Sequence, residues 1–273
     1  MTDRRETWLL LAPGVSLLAV AFLLPIARML VLSVDGPDGF TVSGFLRFFQ
    51  DGYYPLILWR TVRLAALITL ICAVIGFPMA YVMARCNPAL RLWLVMLVIL
   101  PLMTSVVIRT FGWMVLLSRS GLVSRVLRDM GFGGRSFQVM HSEAAIVVGM
   151  VQVLLPFMVL SLMGVIGRLD PRLEEAARTM GCSFLGALRS VVLPLAVPGL
   201  VAGSLLVFTL AASSFVTPSL LGGARLEVLA GAVYKNVTQT LDWNFAAVQA
   251  TVLFAGVALI LVPYLRLGGG RHG

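Results

Sequence analysis

Six stretches of about twenty or more mainly apolar residues recur along this chain, and no other feature restricts its fold so much. A hydrocarbon core about 30 Å thick is crossed by about 20 apolar helical residues. The stretches run at about 8–34, 64–84, 92–117, 144–166, 195–216 and 245–265. Apolar residues make up 59% of the chain and charged ones 12%, against roughly 25% charged in ordinary globular domains. Too little polar surface remains to coat a water-soluble body. The chain therefore reads as an all-α membrane protein, six transmembrane helices in a single domain, 1–273. The first stretch is too long for a signal-peptide core and no small-residue cleavage site follows it, so it is expected to stay as a span. Pro25, Pro101 and Pro156 fall inside spans, where neighbouring helices can satisfy the carbonyls they free.

The net charge of +9 comes from twenty arginines and a single lysine. In a soluble chain that balance raises nucleic-acid binding. Here the arginines are scattered between apolar spans and read as flanks facing lipid headgroups, so membrane lipid is the expected contact and nucleic acid is not. Cys72, Cys86 and Cys182 are odd in number and unclustered, and His141 and His272 lie far apart. Neither a disulfide framework nor a metal site is indicated. The spans contain no Asp or Glu, no set of residues supports catalysis, and no Walker motif occurs. Six spans put both termini on one side, together with the links 85–91 and 167–194. Of the 21 Lys and Arg, ten lie on that side and eleven on the other, so the positive-inside rule does not orient the chain.

The link from Gly167 to Pro194 is long, polar and helical in character. Asp170 followed by Pro171 is a helix start, a carboxylate cap before a proline whose missing N–H costs nothing there. Gly181 stands where a C-terminal glycine would end that helix. Ser183 can cap a second short helix that ends near Leu193-Pro194 and turns the chain into span five. The outer face is expected to carry Ala176 and Ala177 beside Glu175. As physics alone, this pair of helices serves equally as a docking platform for another protein or as an amphipathic connector on headgroups.

The residues themselves carry a resemblance. Glu175-Ala176-Ala177, three residues, Gly181, nine residues, then Val191-x-Leu193-Pro194 is similar to the EAA signature of type I ABC importer permeases, with Val191 in place of Ile. The resemblance implies a type I ABC importer permease bundle in the bacterial inner membrane, with both termini cytoplasmic. It also implies that the loop 168–194 couples to a dimer of ATP-binding subunits through Glu175, Ala176, Ala177, Gly181, Leu193 and Pro194. ATP and Mg²⁺ would be bound by that partner and no cofactor by this chain, which would itself be no enzyme. A periplasmic solute-binding protein is the further implied partner.

Ser213 to Gly223 contains Phe215-Val216-Thr217-Pro218 and Leu220-Leu221-Gly222-Gly223 and resembles the B-type permease subunit of spermidine/putrescine importers. Leu155-Pro156-Phe157-Met158 and Asp242-Trp243-Asn244-Phe245 resemble that subunit too. A second, C-type permease is thereby implied, with polyamine as substrate. Ser214 stands where that subfamily often has Glu. For a polyamine path without acids, aromatic faces and oxygen donors are the candidates: Phe111, Trp113, Phe157, Phe208, Ser214, Phe215 and Thr217. Arg28, Arg60, Arg63 and Arg109, near the outer ends of spans, would instead make an electropositive mouth. Such a mouth suits an anionic or zwitterionic solute such as an opine or an aminophosphonate, and ferric iron is a further alternative. A secondary transporter is the rival class, but it calls for broken repeats or intramembrane ionisable groups. Gly199-x-x-x-Gly203 offers close helix packing. Arg119–Gly134 reads as an interfacial helix, a shelf for the binding protein.

Overall fold

In hydrocarbon no water reaches the backbone, so a spanning chain must close its hydrogen bonds within helices or a barrel. This chain forms helices. The computed structural model describes residues 4–36, 39–131 and 139–269. Its helices are α1 (Arg4–Ser33), α2 (Ser43–Gln50), α3 (Tyr53–Arg85), α4 (Pro88–Ile99), α5 (Val106–Leu117), α6 (Leu122–Asp129), α7 (Glu143–Ile166), α8 (Arg172–Thr179), α9 (Phe184–Ala187), α10 (Leu193–Ser213), α11 (Val216–Gly222), α12 (Leu229–Lys235) and α13 (Trp243–Gly269). A two-stranded antiparallel ribbon, β1 (Asp35–Gly36) with β2 (Gly39–Phe40), follows α1. Among the described residues, six helical segments are long and apolar enough to cross a membrane: Leu11–Ser33, Tyr53–Arg85, Val106–Asp129, Glu143–Ile166, Phe184–Ser213 and Trp243–Ile260. The expected number of spans is met.

Two expected boundaries are not. The stretch 92–117 is no single helix. It breaks at Pro101, where a 3-10 turn (Leu100–Met103) gives way to Thr104 in an extended conformation. Proline lacks the N–H that would continue the ladder, and side-chain donors close the turn that follows. The Thr104 hydroxyl donates to the Pro101 carbonyl at 2.8 Å, and Arg109 Nη2 to the Thr104 carbonyl at 2.9 Å. The opposite happens at Pro194, where the expected turn into span five is absent. Residues Phe184–Ser213 are continuously helical, with a π turn at Leu188–Val192 just before the proline. The wider turn moves the carbonyl that a pyrrolidine ring would otherwise strike. The helix ends instead at Ser214, which is extended (ψ 135°), and the Val216–Gly222 segment is a separate helix.

The chain divides into two compact units, Met1–Leu56 with Ala232–Ala255, and Ile57–Gly231 with Gly256–Gly273. In the first, Arg47 of α2 pairs with Asp242 at 3.3 Å, its guanidinium 4.2 Å above the Phe245 ring. Asp242 Oδ1 also accepts the Phe245 N–H and so caps α13. The second unit is organised around α7, whose Ile146, Met150, Met158, Leu162 and Ile166 are almost fully buried. Small residues let its neighbours come close. A Cβ on Gly199 of α10 would lie 2.8 Å from Val165 Cγ2, one on Gly203 2.8 Å from Met158 Sδ, and one on Gly76 of α3 2.9 Å from Met158 Cγ. Met158 thus fills the space between α3 and α10. Ser161 Oγ donates to the Gly199 carbonyl at 2.9 Å across the same α7–α10 seam.

Candidate functional site

The link between α7 and α10 forms as its residues dictate. Asp170 Oδ1 accepts the Arg172 N–H at 3.0 Å at the head of α8. The Ser183 hydroxyl accepts the Gly186 N–H at 3.1 Å at the head of α9. Between them, Cys182 N–H donates to the Ala177 carbonyl and Gly181 N–H to the Arg178 carbonyl, the paired bonds that close a helix on a left-handed glycine. Gly181 has φ +92° and open space where a Cβ would sit. Of the two reasons for a glycine at this elbow, torsion applies and crowding does not.

The loop presents a different face from the one expected. Glu175 and Ala176 are exposed, but Ala177 is only 4% exposed and points into the protein. Successive residues on a helix turn by about 100°, so a face carrying Glu175 and Ala176 cannot also carry Ala177 while α8 rests on the bundle. Leu193 and Pro194 are exposed on the helix that follows. Beside Glu175, the side chains of Arg178, Thr179, Cys182, Ser183 and Phe184 line an open hollow.

Glu174, the neighbour of Glu175, is turned inward. Its Oε2 accepts the Tyr81 hydroxyl at 2.7 Å, and its Oε1 accepts Arg85 Nε at 3.0 Å and Arg85 Nη2. Arg85 Nη1 reaches the Leu169 carbonyl at 3.0 Å, and the Tyr81 ring meets Phe184 edge to face at 5.9 Å. The sequence gives no sign of this cluster, because its partners on α3 lie about ninety residues earlier.

The candidate path residues fall into separate groups. Trp113 ties α5 to α7 and Thr217 ties α11 to α5. The indole N–H donates to Gln152 Oε1 at 3.0 Å, and the buried Thr217 hydroxyl lies 3.2 Å from that of Thr110. Gln152 and Thr110 were not foreseen, although an amide inside an apolar span is itself the signal. Phe208, 8% exposed, lines a cavity of about 380 Å³ between α3 and α10, with Thr69, Ser204 and Ile260. Phe111 is exposed, and Phe157, Ser214 and Phe215 are half-buried.

Within the second unit, the arginines expected at the mouth are engaged locally. Arg63 pairs with Glu143. Arg60 Nη1 donates to the carbonyls of Arg225 and Glu227, each at 3.2 Å. Arg109 keeps Nε and Nη1 buried without a partner. In α6 the Leu122 and Val126 side chains are exposed and Ser124 is buried, bonded to the Leu117 carbonyl at 3.1 Å. That leaves an apolar face for the interface; residues 132–134 of the stretch lie outside those described. Among the described residues, no group of three His, Cys, Asp or Glu is gathered around a metal-sized space.

Residues 73–266 match the family described as the binding-protein-dependent transport system inner membrane component. The chain belongs to that family. The matched residues take in the loop 168–194 and every candidate path residue of this permease. It is 33% identical over 267 residues to the spermidine/putrescine transport system permease protein PotB of Haemophilus influenzae, covering 95% of the chain and 90% of that relative. The PotB of Escherichia coli is 33% identical over 83% of the chain and 82% of its own length. The molybdenum transport system permease protein ModB of Mycobacterium bovis is 31% identical over 75% and 76%. In three dimensions the permease superposes on a chain of a bacterial ABC transporter involved in the import of the acidic polysaccharide alginate. That match has a TM-score of 0.76, 17% identity and 98% coverage of both chains. The resemblances read from the Glu175 and Phe215 segments are thereby borne out, and the protein is a multi-pass component of the inner membrane.

Proposed function

We propose that this permease is one half of the translocation path of an ATP-driven importer for polyamines. The observation that carries the substrate class is the 33% identity with a spermidine/putrescine permease across 95% of the chain. The local chemistry agrees with it. The Arg63–Glu143 pair neutralises one charge that would repel a polycation. Trp113, fixed by Gln152, supplies an aromatic face to an ammonium group, which an aromatic ring attracts by about 0.5–2 kcal/mol depending on desolvation.

The working cycle follows from the docking loop. A dimer of ATP-binding subunits, which holds ATP and Mg²⁺, receives the exposed Glu175–Ala176 face in a groove on the cytoplasmic side, where both termini also lie. Gly181, Leu193 and Pro194 carry the displacement into the helix that becomes α10. A second, C-type permease completes the path, and a periplasmic binding protein delivers the solute to the outer side. This chain binds no cofactor of its own. Closure of the ATPase dimer drives the loop and rocks the spans between inward and outward access.

A second reading, an anionic solute, rests on the relation to a molybdenum permease and on the two unpartnered nitrogens of Arg109. Ligand binding by the cognate periplasmic protein separates the two. A thermal shift with spermidine or putrescine at micromolar concentration is expected. A shift with molybdate, an aminophosphonate or an opine, and none with either polyamine, would overturn the substrate class.

A further inference from the structure

Two adjacent glutamates of α8 have opposite fates. Glu175 faces outward with Ala176, where the proposed function seats the ATP-binding partner. Glu174 is withdrawn, its side chain 15% exposed and Arg85's 18%. Both its oxygens are taken by α3, one by Tyr81 and the other by Arg85. Removing one partner of a pair this shielded from water leaves the other charge poorly solvated, a penalty that a surface pair escapes.

The inner end of α3 is built to receive such a bond. Arg91 folds back and donates to the carbonyls of Met83 at 2.9 Å and Ala84 at 2.8 Å. It thereby ties down carbonyls that the end of a helix leaves unsatisfied. Arg85 also holds the Leu169 carbonyl, in the approach to α8. Tyr81 contacts both short helices at once, α8 through Glu174 and α9 through Phe184. The elbow between these helices, by contrast, is a glycine with no neighbour within 4 Å of its Cβ position.

We propose that Glu174 is a positioning residue that latches the docking helix to α3, so that a push on the Glu175 face moves α3 together with α10. The consequence lies in the cavity of about 380 Å³ whose walls are α3 (Ala66, Thr69, Ala73) and α10 (Ser204, Phe208). The loop continues into α10 through the backbone and reaches α3 through Glu174. Both walls therefore answer to one docking event, and without the latch the α3 wall keeps only the Arg85–Leu169 bond and the Tyr81–Phe184 ring contact.

The latch rests on the proposed function, and the test keeps the two apart. The full transporter, with ATP-binding subunits, second permease and binding protein, is reconstituted in proteoliposomes, and ATP hydrolysis and solute uptake are measured side by side. Glu174→Ala and Arg85→Ala should each lower uptake at least tenfold while ATP hydrolysis stays within about twofold of the parent. Tyr81→Phe, which removes one hydroxyl and leaves the ring against Phe184, should lower uptake about two- to threefold. The exchange Glu174→Arg with Arg85→Glu should recover at least a third of parental uptake, a recovery that a merely structural role does not produce. Should an alanine variant fail to assemble, Tyr81→Phe and Glu174→Gln decide, with reduced uptake at normal hydrolysis expected for both. Parental uptake in the single variants, or no recovery in the exchange, would overturn the latch alone. No ATP-dependent uptake in the parent complex would contradict the proposed function and the latch with it.

Discussion

At Gly181 the backbone has φ +92° and nothing occupies the space a side chain would need, so substitution there is opposed by torsion alone. An L-residue in left-handed backbone costs roughly 1–2 kcal/mol, less for Asn, and β-branched residues tolerate it least. Gly181→Val should abolish uptake while the spans stay folded, and Gly181→Asn should keep at least a third of parental uptake. Uptake by proteoliposomes together with the melting temperature of the purified complex checks both. Equal activity of the two variants would show that the left-handed elbow is not used. The elbow was legible because a helix cap, a glycine and a second cap follow one another within fourteen residues, Asp170 to Ser183. Which glutamate faces outward was not. Helical period fixes Glu174 and Glu175 about 100° apart but says nothing of which one meets the bundle. The deciding contacts, Tyr81 and Arg85, come from a helix 93 and 89 residues away in sequence.

Among the elements, the α7–α10 seam is closely packed through Gly199 and Gly203. Gly199→Leu places its Cβ 2.8 Å from Val165 Cγ2 and 3.2 Å from the Ser161 carbonyl oxygen, and that backbone atom cannot swing aside. Overpacking of this kind costs typically about 1–3 kcal/mol, and in a membrane the seam depends on such close approach. The variant should show a clearly lower melting temperature and yield in detergent. Gly164→Leu, at an exposed α7 position with nothing within 4 Å, should match the parent. Equal stability of the two variants would contradict the seam. The spans themselves were visible as runs of apolar residues, since length and hydropathy alone satisfy the bilayer. Their breaks were harder to read, because proline has two outcomes. At Pro101 the chain leaves the helix and Thr104 with Arg109 takes up the carbonyls. At Pro194 a π turn absorbs the ring and the helix continues. Local sequence contains the proline in both cases, and the packing that selects the outcome lies elsewhere in the chain.

At the scale of the whole molecule, the chain has the span number and the fold of an importer permease, and it belongs to the family that works with binding proteins. In the cycle proposed above, the energy of transport is drawn from an ATP-binding partner through the loop 168–194. The most direct measurement is uptake of labelled spermidine by proteoliposomes holding this chain, its partner permease and the ATP-binding subunits, supplied with the cognate binding protein. The account predicts uptake that needs ATP, the ATP-binding subunits and the binding protein together, and that is lost in Gly181→Val. Spermidine uptake that persists without the ATP-binding subunits, driven by an ion gradient, would contradict it.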